Sequence, residues 1–221
     1  MTLVLRQLAV LGLLAMLVVG QVAAADSGID SEQDLRRYVD ENTQQMVKLL
    51  NENRGLYEED PEAFYEELED AMTGFVDFRR IAARVMGRYA RQASPEQRDE
   101  FVRVFKRSLF DSYAKMLVSA DDFEMAVQEV DIKSDNADRA LVSINVTTEG
   151  GDRYPVTYSM YRNKEGKWLM ENVIVEGVNI GLAYRDRFAQ NMDSERGDVD
   201  AVIDGWVETV QEIDLDEEKA N

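Results

Sequence analysis

The sequence predicts an α+β fold: N-terminal helices pack on a curved four-stranded antiparallel sheet, and C-terminal helices follow. Two changes in the spacing of apolar residues carry this prediction. Apolar residues recur at helical spacing up to about residue 120, alternate from about 124 to 175, and return to helical spacing from about 180 to 213. Helices followed by a run of strands are typical of one sheet with helices against one face.

The N-terminal 25 residues have the pattern of a secretory signal peptide. Arg6 supplies the positive charge, residues 8–19 form the apolar run, and Ala23-Ala24-Ala25 gives the small-residue cleavage pattern. The apolar run is shorter than the ~20 residues that a membrane-spanning helix needs. We therefore expect an exported protein that is cleaved near Ala25, and the alternative is a retained membrane anchor.

Four helices are predicted before residue 120. The first spans about 31–53, and the second follows Asp60-Pro61, where proline occupies the first turn. The third spans about 77–90, and the fourth opens on a capping box at Ser94-Pro95-Glu96-Gln97. The apolar stripe of the fourth helix contains bulky and aromatic residues. It is wider than the stripe that a surface helix needs.

Four strands are predicted next, at about 124–133, 139–148, 154–163 and 167–175. Short turns rich in Gly, Asn and Asp separate them, which predicts an antiparallel meander. The last strand ends in Val173-Ile174-Val175, which is apolar on both faces, so we expect cover on both sides there. Which of the three side chains faces inward stays open, because a single β-bulge would exchange them.

Two further helices, at about 180–192 and 198–213, close the predicted domain. Residues 26–213 then form a single α+β domain, since their number suits one hydrophobic core. Residues 214–221 form an acidic tail that is expected to be flexible.

Composition excludes several classes of function. The chain of 221 residues contains no histidine and no cysteine, which removes disulfides, thiol nucleophiles, histidine-based triads and most zinc sites. The net charge of −19 repels phosphate backbones, so nucleic-acid binding is not expected. We expect no cofactor and no metal, and the segment Glu149-Gly150-Gly151-Asp152 is interpreted as a hairpin turn rather than a calcium loop. Carboxylates remain, so a carboxylate enzyme is not excluded.

Bulky apolar residues of the helices and strands could line one volume between the two layers. Spacing alone favours a plain packed core, whereas the methionines favour a site for a flexible apolar ligand. The candidate lining residues are Phe78, Val85, Tyr89, Phe105, Leu109, Tyr113, Tyr158, Met160, Trp168, Met170, Val173 and Val175.

A basic window interrupts this acidic chain. Residues 79–107 hold nine basic and three acidic side chains. Arg80 and Arg84 fall on the polar face of the third helix, and Arg79 lies nearer to its apolar face. These three arginines are candidates for contact with a lipid phosphate or an acidic partner, and the alternative is an ordinary solvated helix face.

Two blocks of the sequence resemble a known family. The block from Phe75 to Met116 contains Val85-Met86-Gly87-Arg88-Tyr89, then Ser94-Pro95-Glu96-Gln97-Arg98 and Phe101-x3-Phe105. The second block runs from Trp168 to Val175 and continues as Glu176-Gly177-Val178-Asn179. Both resemble the MlaC phospholipid-binding proteins of the Gram-negative periplasm, also called the toluene-tolerance family.

The resemblance implies a cystatin-like fold, related to nuclear-transport-factor-2-like domains, with a deep hydrophobic pocket between sheet and helices. It implies a soluble periplasmic carrier that binds one glycerophospholipid by its acyl chains and is not an enzyme. It also implies two partners, an outer-membrane lipoprotein complex and an inner-membrane ABC transporter with its lipid-binding substrate-domain subunit. Shuttling between them would support the lipid asymmetry of the outer membrane.

Two rival functions remain. The first is a small hydrolase or isomerase on the same fold that uses a pocket carboxylate, for which Asp77, Glu171 and Glu176 are the candidates. The second is a structural or adaptor module with a filled core. An inward-facing carboxylate beside a polar cavity would favour the enzyme, and a dry pocket without one would favour the carrier.

Overall fold

The computed structural model describes residues 29–119 and 123–211, and side chains are described except at 112–119 and at 211. The expected signal peptide and the expected acidic tail therefore lie outside the described residues. Within the described ranges, no helix is long and apolar enough to cross a membrane.

Helices make up the N-terminal half, as the sequence predicts. Two of the caps are the predicted ones: Asp60 accepts from the backbone N–H of Ala63, and Ser94 and Gln97 satisfy each other's backbone N–H groups at 2.9 and 3.1 Å. The short helix α2 was not predicted and has no side-chain cap. The helices are α1 (Glu32–Glu52), α2 (Arg54–Glu59), α3 (Pro61–Met72), α4 (Phe78–Met86) and α5 (Pro95–Ser119), and a 3₁₀ turn at Gly87–Arg91 follows α4.

Within the part of the chain that the structure describes, the sheet has five antiparallel strands in sequence order rather than the predicted four. The additional strand, β5, pairs with the end of β4 across a turn at Glu176-Gly177. Both turn residues have positive φ, 49° and 89°, which two-residue hairpins favour. The strands are β1 (Phe123–Ile132), β2 (Arg139–Thr148), β3 (Arg153–Arg162), β4 (Trp168–Val175) and β5 (Val178–Asn179).

A bulge in β4 decides which side chains share a face. Ser159 pairs with Asn172 while the next residue, Met160, pairs with Met170, so Glu171 is the extra residue. Val173 and Val175 consequently lie on the same face as Met170. Ile174 lies on the opposite face, which answers the question that the sequence left open.

Helix α1 covers part of this face, which we call the inner face. Leu35 and Val39 of α1 are fully buried in the cluster that the inner face forms. The polar side of α1 holds the edge strand β1, because Arg36 donates to the carbonyl oxygens of Val127 and Gln128 at 2.6 Å. These contacts occupy part of the edge of β1, which limits its pairing with another chain.

The C-terminal helices form a second layer against α4 and α5. They are α6 (Ile180–Ser194), α7 (Val199–Asp204) and α8 (Trp206–Gln211). Asn179 begins α6 by accepting from the backbone N–H of Leu182, and Asp198 begins α7 in the same way.

Candidate functional site

The structure divides the candidate lining residues between two clusters. Val85, Tyr89, Phe105 and Leu109 belong to a helical cluster formed by α4 to α8. Tyr113 lies among the residues whose side chains are not described. The remaining seven belong to the cluster on the inner face of the sheet: Phe78, Tyr158, Met160, Trp168, Met170, Val173 and Val175.

The helical cluster is a tightly packed aromatic core. Phe101 makes edge contacts with Phe188 and Trp206 at ring-centroid distances of 5.0 and 5.1 Å, and Phe105 packs on Tyr184 at 5.6 Å. All five rings are at most 1% exposed. Rings buried to this degree hold α5, α6 and α8 together, so this cluster is the folding core of the helical layer.

The inner face is covered unevenly. At one end Met160, Trp168 and Met170 are buried beneath α1 and the segment before α4. Towards the other end the side chains remain apolar, and most are only partly buried, although Ile144 and Val156 among them are buried. These partly covered residues are Met125, Val127, Val146, Tyr158, Val173 and Val175, and Phe78 and Ile81 of α4 pack against the same cluster.

The partly covered end is uncharged in the described strands. Burial raises the pKa of the Tyr158 phenol to about 12, so its hydroxyl group stays neutral at physiological pH. The ring of Tyr158 makes an edge contact with Phe75 at 6.1 Å, which fixes it against the inner face. The described strands therefore offer an incoming ligand an apolar surface at this end and no ionised group.

Behind β4 lies a cluster of charged side chains that the sequence did not reveal. The carboxylate of Glu171 is 3% exposed and binds three guanidinium groups, those of Arg80, Arg84 and Arg139. Arg84 contacts it at 2.9 Å. Arg139 comes from β2 and Glu171 from the bulge of β4, so only the folded sheet brings them together.

Asp77 and Tyr161 extend this cluster. Asp77 begins α4 by accepting from the backbone N–H of Arg80, and it also accepts from the Tyr161 hydroxyl. Burial, together with the hydrogen bond to Asp77, raises the pKa of Tyr161 to about 12. The Arg80 guanidinium lies 3.9 Å from the centre of the Tyr161 ring.

The three candidate arginines occupy different environments. Arg80 and Arg84 both form ion pairs with Glu171. Arg79 is instead 70% exposed and binds Asp99 of α5 at 2.6 Å. Arg79 thus makes a surface ion pair, which contributes little to stability.

A cleft of about 490 Å³ with a mixed polar and apolar lining opens between α4 and α6 beside this cluster. Arg84, Arg185, Glu171 and Asn172 line it. Asn172 accepts from the backbone N–H of Gly181 at 3.0 Å and donates to Asn179 at 2.9 Å. Glycine is needed at Gly181, because a Cβ there would lie 2.4 Å from the Asn172 side-chain oxygen.

The three candidate catalytic carboxylates are placed as follows. Glu171 lines the cleft, but both of its oxygens already accept from guanidinium groups. Asp77 is engaged with the start of α4 and with Tyr161. Glu176 is exposed in the turn between β4 and β5.

The sequence of this chain is similar to those of MlaC and toluene-tolerance proteins. A family model described as MlaC protein matches residues 40–208. The toluene tolerance protein ttg2D of Pseudomonas putida is 38% identical over 165 residues, which cover 74% of this chain and 75% of that protein. The binding protein MlaC of the intermembrane phospholipid transport system of Haemophilus influenzae is 21% identical over 133 residues, which cover 59% of this chain and 62% of that protein.

The fold is also found among solved structures. The structure of a phospholipid-binding protein from Ralstonia solanacearum, in complex with a phospholipid, superposes with a TM-score of 0.70 at 20% identity. The superposition covers 79% of this chain and 96% of that one. The predicted α+β class is thereby confirmed.

Proposed function

The chain belongs to the MlaC family, and from this premise we propose that it is a periplasmic phospholipid carrier. It binds a glycerophospholipid by its acyl chains and moves it between an outer-membrane lipoprotein complex and an inner-membrane ABC transporter. The family relationship and the phospholipid in the related Ralstonia protein support this assignment. Such transport would support the lipid asymmetry of the outer membrane.

The observation that carries the proposal is the apolar, partly covered end of the inner face. Tyr158, Val173 and Val175 are only partly buried although they point to the side that α1 covers, and they adjoin the buried Ile144 and Val156 in one apolar surface. We assign contact with the acyl chains to these three residues and to Phe78. The helical cluster, with Val85, Tyr89 and Phe105, contacts the inner-face cluster through Ile81 of α4.

A carrier of this kind needs no chemical step. Two acyl chains hold roughly 30 methylene groups, and at ~0.8 kcal/mol each their exposure to water costs on the order of 20 kcal/mol. Spontaneous transfer across an aqueous compartment is therefore very slow. An apolar surface that replaces the contacts of the bilayer lowers this barrier, and it selects for the tails rather than for the headgroup.

One observation favours the second candidate, a hydrolase or isomerase: a buried carboxylate, Glu171, borders the cleft between α4 and α6. A general acid or base must be able to exchange a proton with the substrate. Both oxygens of Glu171 are engaged by Arg80, Arg84 and Arg139, and this arrangement suits a structural anchor better than a proton shuttle.

A transfer assay tests both candidates together. Donor vesicles that contain a fluorescent phospholipid are mixed with acceptor vesicles, and transfer is followed with increasing amounts of the protein. We expect the rate to rise in proportion to the protein and the recovered lipid to be chemically unchanged. Transfer no faster than without protein would contradict the carrier, and the appearance of lysophospholipid or free fatty acid would establish the enzyme instead.

A further inference from the structure

The cleft between α4 and α6 has a cationic rim in a chain whose net charge is −19. Arg84 projects from α4 and Arg185 from α6, and both line the same volume. Arg84 forms an ion pair with Glu171 through one terminal nitrogen, and Arg185 donates two N–H groups to its neighbour Asp186. Because a guanidinium group has five N–H donors, both arginines keep donors for a ligand.

Arg185 of α6 lies against the end of α4 at Gly87, where there is no side chain in its way. Gly87 ends this helix with φ of 55°, a conformation that favours glycine. A Cβ at Gly87 would lie 3.5 and 3.6 Å from the Cγ and Cδ atoms of Arg185, so the arginine stem lies across this glycine. The close approach of the two helices therefore brings Arg185 to the same cleft as Arg84.

The floor of the cleft does not cancel this positive rim. Glu171 is the acidic residue among the lining side chains, and three arginines already bind it. Asn172, also on the floor, uses one amide hydrogen on Asn179 and keeps the second. The volume of about 490 Å³ is large enough for a phosphate with a small substituent.

From this geometry we infer that the cleft binds a phosphate group, held between Arg84 and Arg185. Planar guanidinium groups suit phosphate because they donate two parallel hydrogen bonds. If the protein carries phospholipid as proposed above, this group is the phosphodiester of the lipid. Ile81 supports that connection, since it lines the cleft and also packs against the inner-face cluster.

Titration of the full chain with two probes tests the inference. Inorganic phosphate tests the anion site without any lipid, and dihexanoyl phosphatidylglycerol below its micelle concentration adds short tails. Replacement R185Q removes one of the two cations without touching Glu171, and we expect it to weaken phosphate binding by about tenfold or more, the usual effect of losing a charge-assisted hydrogen bond. Higher ionic strength should weaken the binding of both probes.

The matched control is R103Q. Arg103 is an exposed arginine of α5 that pairs with Glu100, and it lies outside this cleft. The R103Q variant loses the same charge as R185Q but outside the cleft. Its affinity for phosphate should therefore equal that of the unchanged protein. Replacement R84Q is a second, independent variant and should weaken phosphate binding as R185Q does, while Arg80 and Arg139 still hold Glu171.

The outcomes separate the site from its ligand. Phosphate binding that neither R185Q nor R84Q weakens, or that R103Q weakens equally, overturns the site. If both cleft variants weaken phosphate and lipid binding in proportion, the occupant is the lipid phosphodiester. If they weaken phosphate binding alone, the site stands and takes free phosphate, and the headgroup assignment is rejected. Failure of both the unchanged protein and the R103Q control to bind lipid would contradict the carrier and leave the phosphate result unaffected.

Discussion

Replacing Val173 by aspartate is expected to reduce lipid uptake by at least about tenfold, because a carboxylate would have to be desolvated among acyl chains. Val173 lies on the inner face opposite Tyr158, at the partly covered end of the apolar cluster. Uptake of phospholipid from vesicles, measured by lipid extraction of the reisolated protein, gives the result. The variant should remain folded, since Val173 is only partly buried.

The neighbouring residue provides the matched control. Ile174 pairs with Thr157 and points to the opposite face, and it is also partly buried. Replacing Ile174 by aspartate introduces the same charge one position along, and we expect lipid uptake close to that of the unchanged protein. Equal uptake by both variants, or equal loss while both remain folded, would show that the inner face does not hold the acyl chains.

Replacing Phe105 by alanine is expected to lower the free energy of unfolding by about 3–5 kcal/mol, the usual cost of truncating a buried phenylalanine. Phe105 is 1% exposed and contacts Phe101, Tyr184 and Trp206. Its removal leaves a cavity where α5, α6 and α8 meet. Denaturant unfolding followed by circular dichroism measures the change.

A control for Phe105 lies on the same helix. Val104 of α5 is only partly buried, and its replacement by alanine should cost about 1 kcal/mol or less. Because Phe105 belongs to the folding core, the folded fraction of its alanine variant should still take up lipid. A small loss of stability together with a complete loss of lipid uptake would place Phe105 in the wall of the pocket instead.

Periodicity and caps predicted most of the fold because both are local. The change of apolar spacing near residue 120 located the border between helices and sheet, and Asp60 and Ser94 marked two helix starts. The short strand β5 was missed because two residues, Val178 and Asn179, cannot show an alternating pattern.

The positions of the apolar residues in β4 indicate the bulge, and with it which of the last three side chains face inward. Trp168 and Met170 occupy even positions, whereas Val173 and Val175 occupy odd ones. A strand that buries one face throughout can change phase in this way only if it contains an extra residue, and the structure has it at Glu171.

The candidate site was less predictable because its parts are distant in the chain. Helical spacing identifies the apolar side of α4 and α5 but not the layer that each side meets, so Val85 and Phe105 were grouped with the strand residues. The sequence does not identify Arg139 and Arg185 as site residues, since a single charge on a strand or helix has no distinguishing pattern. Only the folded chain shows that Arg139 binds Glu171 and that Arg185 lines the cleft.

Native mass spectrometry of the gently purified protein tests the carrier most directly. If the partly covered inner face binds acyl chains, the spectrum should show the protein with one glycerophospholipid, and collisional activation should release an intact lipid. Protein that emptied on purification should regain one lipid per chain after incubation with vesicles. A spectrum of bare protein both before and after that incubation would contradict the account.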